Sequence, residues 1–293
     1  MTEVSASAGT LERRGVAIGA TSFAVVLWSV GSTLAKSVDL PGQVLSLHRV
    51  AWAALLYVAI VGARGSFPTW QKLRLAAPVG VCYALTNVLF FIGVKSTTVA
   101  NATIIQCLQP IPIMLVANRL FGEPVRRREV ALSVVALGGV GLVVFGSATT
   151  VHWSPRGDLL SAGSLVAWVG YFVFNKQVRA KLSALELQAT MLPIAAVVLL
   201  GVAVAMGGSL SPGTPSTWAG IVAIIATAGT GHLLMSAAAP HLPITEASLL
   251  TLGQPVVAVT LAAAFLGEGV VATQVVGMVV VLAAMAGVVT ARS

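Results

Sequence analysis

Uninterrupted apolar stretches of about twenty residues recur along almost the whole chain, and no other feature constrains the fold as strongly. Charged residues make up 9% of the 293 positions, whereas a soluble domain carries about 25% to keep its surface hydrated. The solvent around most of this chain is therefore expected to be lipid. Unpaired backbone amides are costly in hydrocarbon, so only helices or a closed barrel can cross it. Barrel strands would alternate apolar and polar residues, so the runs predict an all-α integral membrane protein.

Ten membrane-spanning helices are predicted, and segments that contain Pro, Gly or charged residues mark several of the boundaries between them. The first span follows Arg13-Arg14, as a signal peptide would, but it has a counterpart in the second half of the chain, which favours a retained helix. The predicted spans are 15–36, 43–63, 75–94, 99–121, 130–147, 157–176, 187–207, 217–239, 245–267 and 271–290.

Basic residues are distributed unequally between the two sides of this arrangement. With the N-terminus inside, thirteen Lys and Arg lie on the cytoplasmic side and three on the outer side, and Arg49 is left within a span. This bias predicts that both termini are cytoplasmic, in a multi-pass protein of the cell's inner or plasma membrane. It also accounts for the net charge of +8, so nucleic-acid binding is not expected.

The two halves of the chain resemble each other. At an offset of 145, Gln109-Pro110 matches Gln254-Pro255 and Gly122-Glu123 matches Gly267-Glu268. At an offset of 140, Trp28 matches Trp168 and Lys36 matches Lys176. Five spans in each half place the halves in opposite orientation, which is a device of transporters with a central site.

The chain is thus predicted to form two inverted five-helix repeats around a central cavity. Residues 1–14 would be a cytoplasmic tail, 15–148 the first repeat, 149–156 an outer linker and 157–293 the second repeat.

The Trp28 and Trp168 spans, the Leu47-His48-Arg49 segment and the paired Gln-Pro and Gly-Glu stretches resemble the EamA-type branch of the drug/metabolite transporter superfamily. This resemblance covers nearly the whole chain. It implies ten helices, two cytoplasmic termini and a cavity lined chiefly by helices 1, 3, 4, 6, 8 and 9. It also implies export of amino acids or other small metabolites, while some relatives exchange sugar-linked or phosphorylated compounds.

Several polar side chains fall inside the predicted spans, where they tend to face a cavity or another helix. The offset of 145 pairs Asn87 with His232, Gln109 with Gln254 and Gln106 with Thr251. If the repeats are inverted, these residues lie near the twofold axis and bind the substrate; the alternative is that they join helices by hydrogen bonds. The predicted helix 99–121 presents Asn101, Gln106 and Gln109 on one face.

Aromatic residues suggest the walls of the same site. Trp28 and Trp168 lie about a dozen residues into their spans, away from the interface where tryptophan is usual. They either fill packing space or form an apolar wall for a substrate, and the repeat symmetry favours the wall. Tyr171, one turn beyond Trp168, adds a hydroxyl on nearly the same face.

Arg49 is expected about 10 Å from the outer end of its span. It would form an ion pair with Asp39 or Glu268, or bind a carboxylate or phosphate of the substrate. Glu123 and Glu268 end their helices and are expected to hold loop cations or amides. No Asp or Glu lies near the middle of a predicted span, so His232 is the one central group suited to proton coupling. Facilitated export or exchange explains the sequence equally well.

Other functional classes find little support. An intramembrane enzyme would need a nucleophile with a base, or metal ligands, and the chain has no His-Glu-x-x-His, Gly-x-Ser-x-Gly or Walker motif. No cofactor or metal is expected, and the protein would be a monomer or a homodimer.

The predicted site has aromatic walls, amides and one histidine, which suits an amino-acid-like solute. A drug, a nucleoside-type metabolite or a phosphorylated metabolite are the alternatives, and a channel is a further one.

The predicted topology can be tested with single cysteines. Because the basic residues place the loop after span 7 outside, a cysteine at Ser209 should react with a membrane-impermeant reagent in intact cells, and one at Ala180 should not. Labelling at Ala180 without labelling at Ser209 would contradict both the orientation and the inversion of the repeats.

Overall fold

The computed structural model describes residues 2–97, 99–146, 154–266 and 269–290, and the described residues contain no strand. Thirteen α-helices carry almost all of this part of the chain. They are α1 Thr2–Ser37, α2 Gly42–Ala63, α3 Trp70–Ser96, α4 Val99–Cys107, α5 Pro110–Phe121, α6 Arg127–Gly146, α7 Pro155–Arg179, α8 Ala184–Met206, α9 Pro215–Ile224, α10 Thr230–Ala238, α11 Ile244–Leu250, α12 Gln254–Leu266 and α13 Ala272–Thr290.

These helices form ten segments long and apolar enough to cross a membrane, within the described ranges. We number them spans 1 to 10 in chain order, which confirms the predicted number and type. Span 1 belongs to a helix that begins at Thr2, so residues 2–14 of the predicted tail are helical and continuous with the span. Span 4 combines α4 with α5, span 8 combines α9 with α10, and span 9 combines α11 with α12.

Spans 4 and 9 are interrupted at equivalent places, which the sequence-based prediction of continuous helices missed. Span 4 breaks at Leu108 and Gln109, directly before Pro110. Span 9 passes through a 3₁₀ turn, Thr251–Gly253, two residues before Pro255. Proline has no N–H to donate four residues back and its ring crowds that carbonyl, so an α-helix cannot continue through it undisturbed. The repeated Gln-Pro pair is therefore the cause of a repeated structural break.

The packing of the spans follows a pseudo-twofold axis. Span 3 packs along span 6, and their repeat equivalents, spans 8 and 1, pack along each other in the same way. Spans 2 and 7 are equivalents and pack together, as do spans 5 and 10. Each half holds an odd number of spans, so the repeats are inverted. The fold is the predicted pair of inverted five-helix repeats.

Spans 5 and 10 approach so closely that glycine is required where they cross. A Cβ on Gly139 would lie 2.9 Å from the Gly277 carbonyl oxygen and 2.9 Å from Val281 Cγ2. A Cβ on Gly277 would lie 2.6 Å from the Gly139 carbonyl oxygen. Small residues let helix backbones meet in lipid, where apolar burial gives no preference for one helix over another. This contact therefore joins the ends of the two repeats.

Replacing Gly139 by Ala should destabilise the protein by about 1–3 kcal/mol, because the added methyl overpacks a rigid helix crossing. Gly141 lies on the same helix, and a Cβ there meets nothing within 4 Å. Gly141→Ala is therefore the matched control and should leave the melting temperature of the purified protein unchanged or raise it. Equal melting temperatures for the two variants would contradict the close crossing.

Candidate functional site

Five ring side chains from both repeats meet in the interior and form what we call the aromatic cluster: Trp28, Tyr83, Trp168, Tyr171 and His232. The ring centroids of Trp28 and Tyr83 each lie 4.9 Å from that of His232. Trp168 stacks on Tyr171 at 5.1 Å. The Tyr171 hydroxyl lies 3.1 Å from His232 Nδ1. The cluster thus holds a histidine inside an aromatic wall.

The cluster lies where the two repeats meet. Trp28 and Trp168 are repeat equivalents, and their rings contact each other edge to face with centroids 5.6 Å apart. Two equivalent residues can touch only close to the axis that relates them. The predicted convergence of Trp28, Trp168, Tyr171 and His232 is therefore what the structure shows.

Local features of span 8 bring His232 against Trp28. A π-helical segment, Ile225–Gly229, precedes α10 and changes the direction of its side chains. Gly231 then leaves room for the indole, since a Cβ there would lie 2.8 Å from Trp28 Nε1. Trp28 Nε1 is buried and has no acceptor among the described residues. The site thus contains an unused hydrogen-bond donor.

Two small cavities flank the aromatic cluster, and the Tyr171–His232 hydrogen bond lies between them. The first, of about 20 Å³, is lined by Arg49, Tyr57, Tyr83, Gln188 and His232 among others, from spans 2, 3, 7 and 8. The second, also about 20 Å³, is lined by Tyr171, Asn175 and Lys176 of span 6 and by residues of spans 8 and 9. Each volume suits about one water.

The cavities differ from those that the family resemblance implied. Spans 2 and 7 line the first one, and neither was expected to contribute. In this structure neither of the two cavities is large enough to hold a metabolite.

Arg49 does not form the expected ion pair with Asp39, and Glu268 lies outside the described residues. Instead the Arg49 guanidinium donates from Nη2 to Asn87 Oδ1. Asn87 in turn donates to the Tyr83 carbonyl at 2.7 Å. Helix geometry explains the outcome, because Asp39 precedes α2 whereas Arg49 lies two turns into it, beside α3. Asn87 is 8% exposed and borders the cluster through Tyr83.

Gln106 and Gln109 do not share one face, because span 4 breaks between them. Gln106 donates to the Ser164 hydroxyl at 2.7 Å and so joins α4 to α7. Gln109 donates to Thr251 Oγ1, which links the break in span 4 to the break in span 9. Its Oε1 is buried without a donor among the described residues. The Gln254 side chain forms no hydrogen bond to another described residue, and its carbonyl accepts the Ser29 hydroxyl at 3.3 Å.

A further group of polar side chains, absent from the sequence-based prediction, borders both cavities, because Gln188 lines the first and Asn175 lines the second. The Ser236 hydroxyl accepts from Asn175 Nδ2 at 2.8 Å and from Gln188 Nε2 at 3.2 Å. All three residues are at most 3% exposed. The sequence feature that could have identified these three residues is a polar side chain within an otherwise apolar span. Asn175 has Ala35 as its repeat equivalent, so the search for symmetric pairs passed over it.

Three ion pairs lie at one end of the bundle, which we call the basic end, and each joins one repeat to the other. Arg14 pairs with Glu246 at 2.7 Å and also donates to the Val289 carbonyl at 3.0 Å. Lys72 pairs with Glu186 at 2.6 Å. Lys176 pairs with Glu123.

The Lys176–Glu123 pair is also tied to the loop between spans 8 and 9. Lys176 donates to the Leu242 carbonyl at 2.6 Å, and Glu123 accepts the Ile244 amide at 2.8 Å. Glu123 thus holds the Ile244 amide and a cation that comes from α7, Lys176, whereas the sequence favoured a cation of the adjacent loop, Arg126 to Arg128. Since Lys176 also lines the second cavity, this pair separates that cavity from the basic end.

The fold and this site define a membrane transporter of the two-repeat helical type. The model of the EamA-like transporter family matches residues 16–145 and 155–290. The chain therefore belongs to the EamA-like transporter family, within the drug/metabolite transporter superfamily.

Comparison with solved structures supports the same fold. Twenty-nine chains match. One of them, titled only "Crystal structure of protein", superposes with a TM-score of 0.82 at 20% identity and covers 94% of this chain and 97% of its own. At that identity the likeness concerns the fold alone. Among curated proteins, none matches this chain.

Proposed function

We propose that this transporter exports a small organic metabolite, with an amino-acid-like solute favoured, by alternating access to the aromatic cluster. The observation that carries the proposal is the contact between Trp28 and Trp168, one from each repeat. A solute at that contact touches both repeats at once. Movement of one repeat against the other would then open the site to one side and afterwards to the other.

The chemistry of the site favours a solute with an apolar part and few charges. Indole and phenol rings form most of its wall, and its polar groups are mainly amides, hydroxyls and one histidine. A polyphosphate would need several clustered Arg or Lys side chains, and Arg49 alone borders the first cavity. A drug, a nucleoside-type metabolite and a phosphorylated metabolite remain the alternatives. Gln106, Gln109 and Gln254 are proposed at the edge of the site, where the broken spans meet.

The ion pairs at the basic end are proposed to close that side. Each one crosses between the repeats, so the basic end can open only when they separate. The Lys72–Glu186 and Lys176–Glu123 pairs are partly exposed on both sides. Such pairs contribute about 0.2–1 kcal/mol each, so they can favour a closed state without preventing its opening. The unequal distribution of Lys and Arg supports the proposal that this end faces the cytoplasm of a cell's inner or plasma membrane, with both termini there.

Counterflow in proteoliposomes tests the proposed function. Vesicles preloaded with a mixture of unlabelled amino acids should accumulate a labelled amino acid transiently and with saturation, whereas vesicles preloaded with nucleosides or sugar phosphates should not. Counterflow driven only by nucleosides or sugar phosphates would mean that the substrate belongs to one of those classes and is not amino-acid-like. Non-saturating flux without counterflow would indicate a channel. Comparison of metabolites released by cells with and without the protein would test the direction of transport.

Proton coupling through His232 is the remaining part of the proposal. His232 is the titratable group that both repeats surround, and its ring contacts Trp28, Tyr83 and Trp168. In the same vesicles, His232→Gln should flatten any pH dependence of counterflow, and Glu123→Gln should preserve it. A pH dependence kept by His232→Gln and lost in Glu123→Gln would move the coupling site to the glutamate.

A further inference from the structure

Arg49 is a cation held within a membrane span. It lies seven residues after Gly42, the first residue of α2, which is about 10 Å along the helix at 1.5 Å per residue. Cations inside a span are costly, so they are normally paired or placed against a water-filled pathway. The group that neutralises the charge of Arg49 therefore bears on what the protein binds.

The described part of the chain provides no acidic side chain that neutralises Arg49. The partner of Arg49 is the neutral Asn87 amide, which accepts from one terminal nitrogen. Its Nε is buried and has no acceptor among the described residues. The guanidinium thus keeps both its charge and an unused donor.

The surroundings of Arg49 form a site rather than a packing defect. Arg49 lines the first cavity together with Tyr57, Tyr83, Gln188 and His232. These residues place hydroxyl, amide and imidazole groups around a single fixed cation. Tyr83 and His232 also belong to the aromatic cluster, and the His232 ring contacts that of Trp28 at 4.9 Å. Arg49 and Trp28 therefore lie on either side of a histidine that contacts the indole and lines the cavity of the cation.

We infer that Arg49 is the anchor for a carboxylate group of the transported solute. A guanidinium offers two parallel N–H donors whose spacing matches the two oxygens of a carboxylate. Asn87 holds one terminal nitrogen in place, which leaves the buried Nε to take part in the contact. The apolar part of the solute would then lie on Trp28 and Trp168. A phosphate dianion would leave excess negative charge beside one cation, so the monoanionic carboxylate fits better.

This inference rests on the proposed function and narrows it to solutes that carry a carboxylate. Matched probes separate the two claims. L-Phenylalanine, L-leucine and L-threonine can each be compared with the corresponding carboxamide, which keeps the side chain and the ammonium group but lacks the carboxylate. Inorganic phosphate serves as a further probe. Stabilisation of the purified protein against heating reports binding, and competition in counterflow reports transport.

We expect at least one of the three amino acids to stabilise the wild-type protein, with its carboxamide binding about tenfold to a hundredfold more weakly. Arg49→Gln should remove that difference, mainly by weakening the binding of the amino acid. Arg49→Lys keeps the charge without the planar fork and should recover only part of the difference. The wild-type comparison needs no variant, so it stands even where Arg49→Gln fails to fold.

Two results would overturn the inference while leaving amino-acid-like transport intact. They are equal binding of an amino acid and its carboxamide by the wild type, and a difference that persists in Arg49→Gln. Stronger stabilisation by inorganic phosphate than by any amino acid would also overturn it, in favour of a phosphorylated solute. Absence of both stabilisation and counterflow with every amino acid and carboxamide would remove the proposed function and this inference together.

Discussion

Hydrocarbon offers no hydrogen-bond partners, and the remaining structure follows from that constraint. Backbone groups must be satisfied within each span, so the described part of the chain is largely helical. Its polar side chains bond either to carbonyls of their own helix or to neighbouring helices. Gln106 finds Ser164, Asn175 finds Ser236, and Arg49 finds Asn87. Against this background the few atoms left without a partner are informative. Three of those found in the described residues, Arg49 Nε, Trp28 Nε1 and Gln109 Oε1, lie in or beside the proposed site, whereas others, such as Asp158 Oδ2 at the start of α7, do not.

Inversion of the repeats explains why the site lies where it does. The twofold axis brings Trp28 against Trp168 and spans 5 and 10 against each other, so the repeats meet at the aromatic cluster and at a tight glycine crossing. The ion pairs break this symmetry, since each joins the repeats at the basic end. Symmetry thus accounts for the place of the proposed site, and the ion pairs are the contacts proposed to close its basic end.

The sequence was sufficient for the number of spans, the repeats and the convergence of the tryptophans with His232, because those depend on hydropathy and on rare residues at fixed offsets. It was not sufficient for polar partners. Whether Arg49 meets Asp39 or Asn87 depends on which helix lies beside it, and that depends on side-chain packing across the whole interface. The breaks before Pro110 and Pro255 are caused by prolines that the sequence shows. They were not predicted, because the apolar runs continue through them without interruption. The Ser236 group lacked a symmetric counterpart and was missed for that reason.

Pulsed electron paramagnetic resonance on the protein in lipid nanodiscs tests the central claim most directly, namely that the two ends of the repeat interface open in turn. One pair of spin labels, at Gln71 and Ala180, spans the basic end, and a second pair, at Ser37 and Ser209, spans the opposite end; all four positions are exposed.

Glu123→Gln weakens an inter-repeat ion pair, and Glu12→Gln is the matched control on an exposed residue of the N-terminal helix. The account predicts that Glu123→Gln shifts population towards longer Gln71–Ala180 distances and shorter Ser37–Ser209 distances, by about twofold to fivefold for a contribution of 0.5–1 kcal/mol. Distances that stay unchanged at both ends, or lengthen at both ends together, would contradict alternating access.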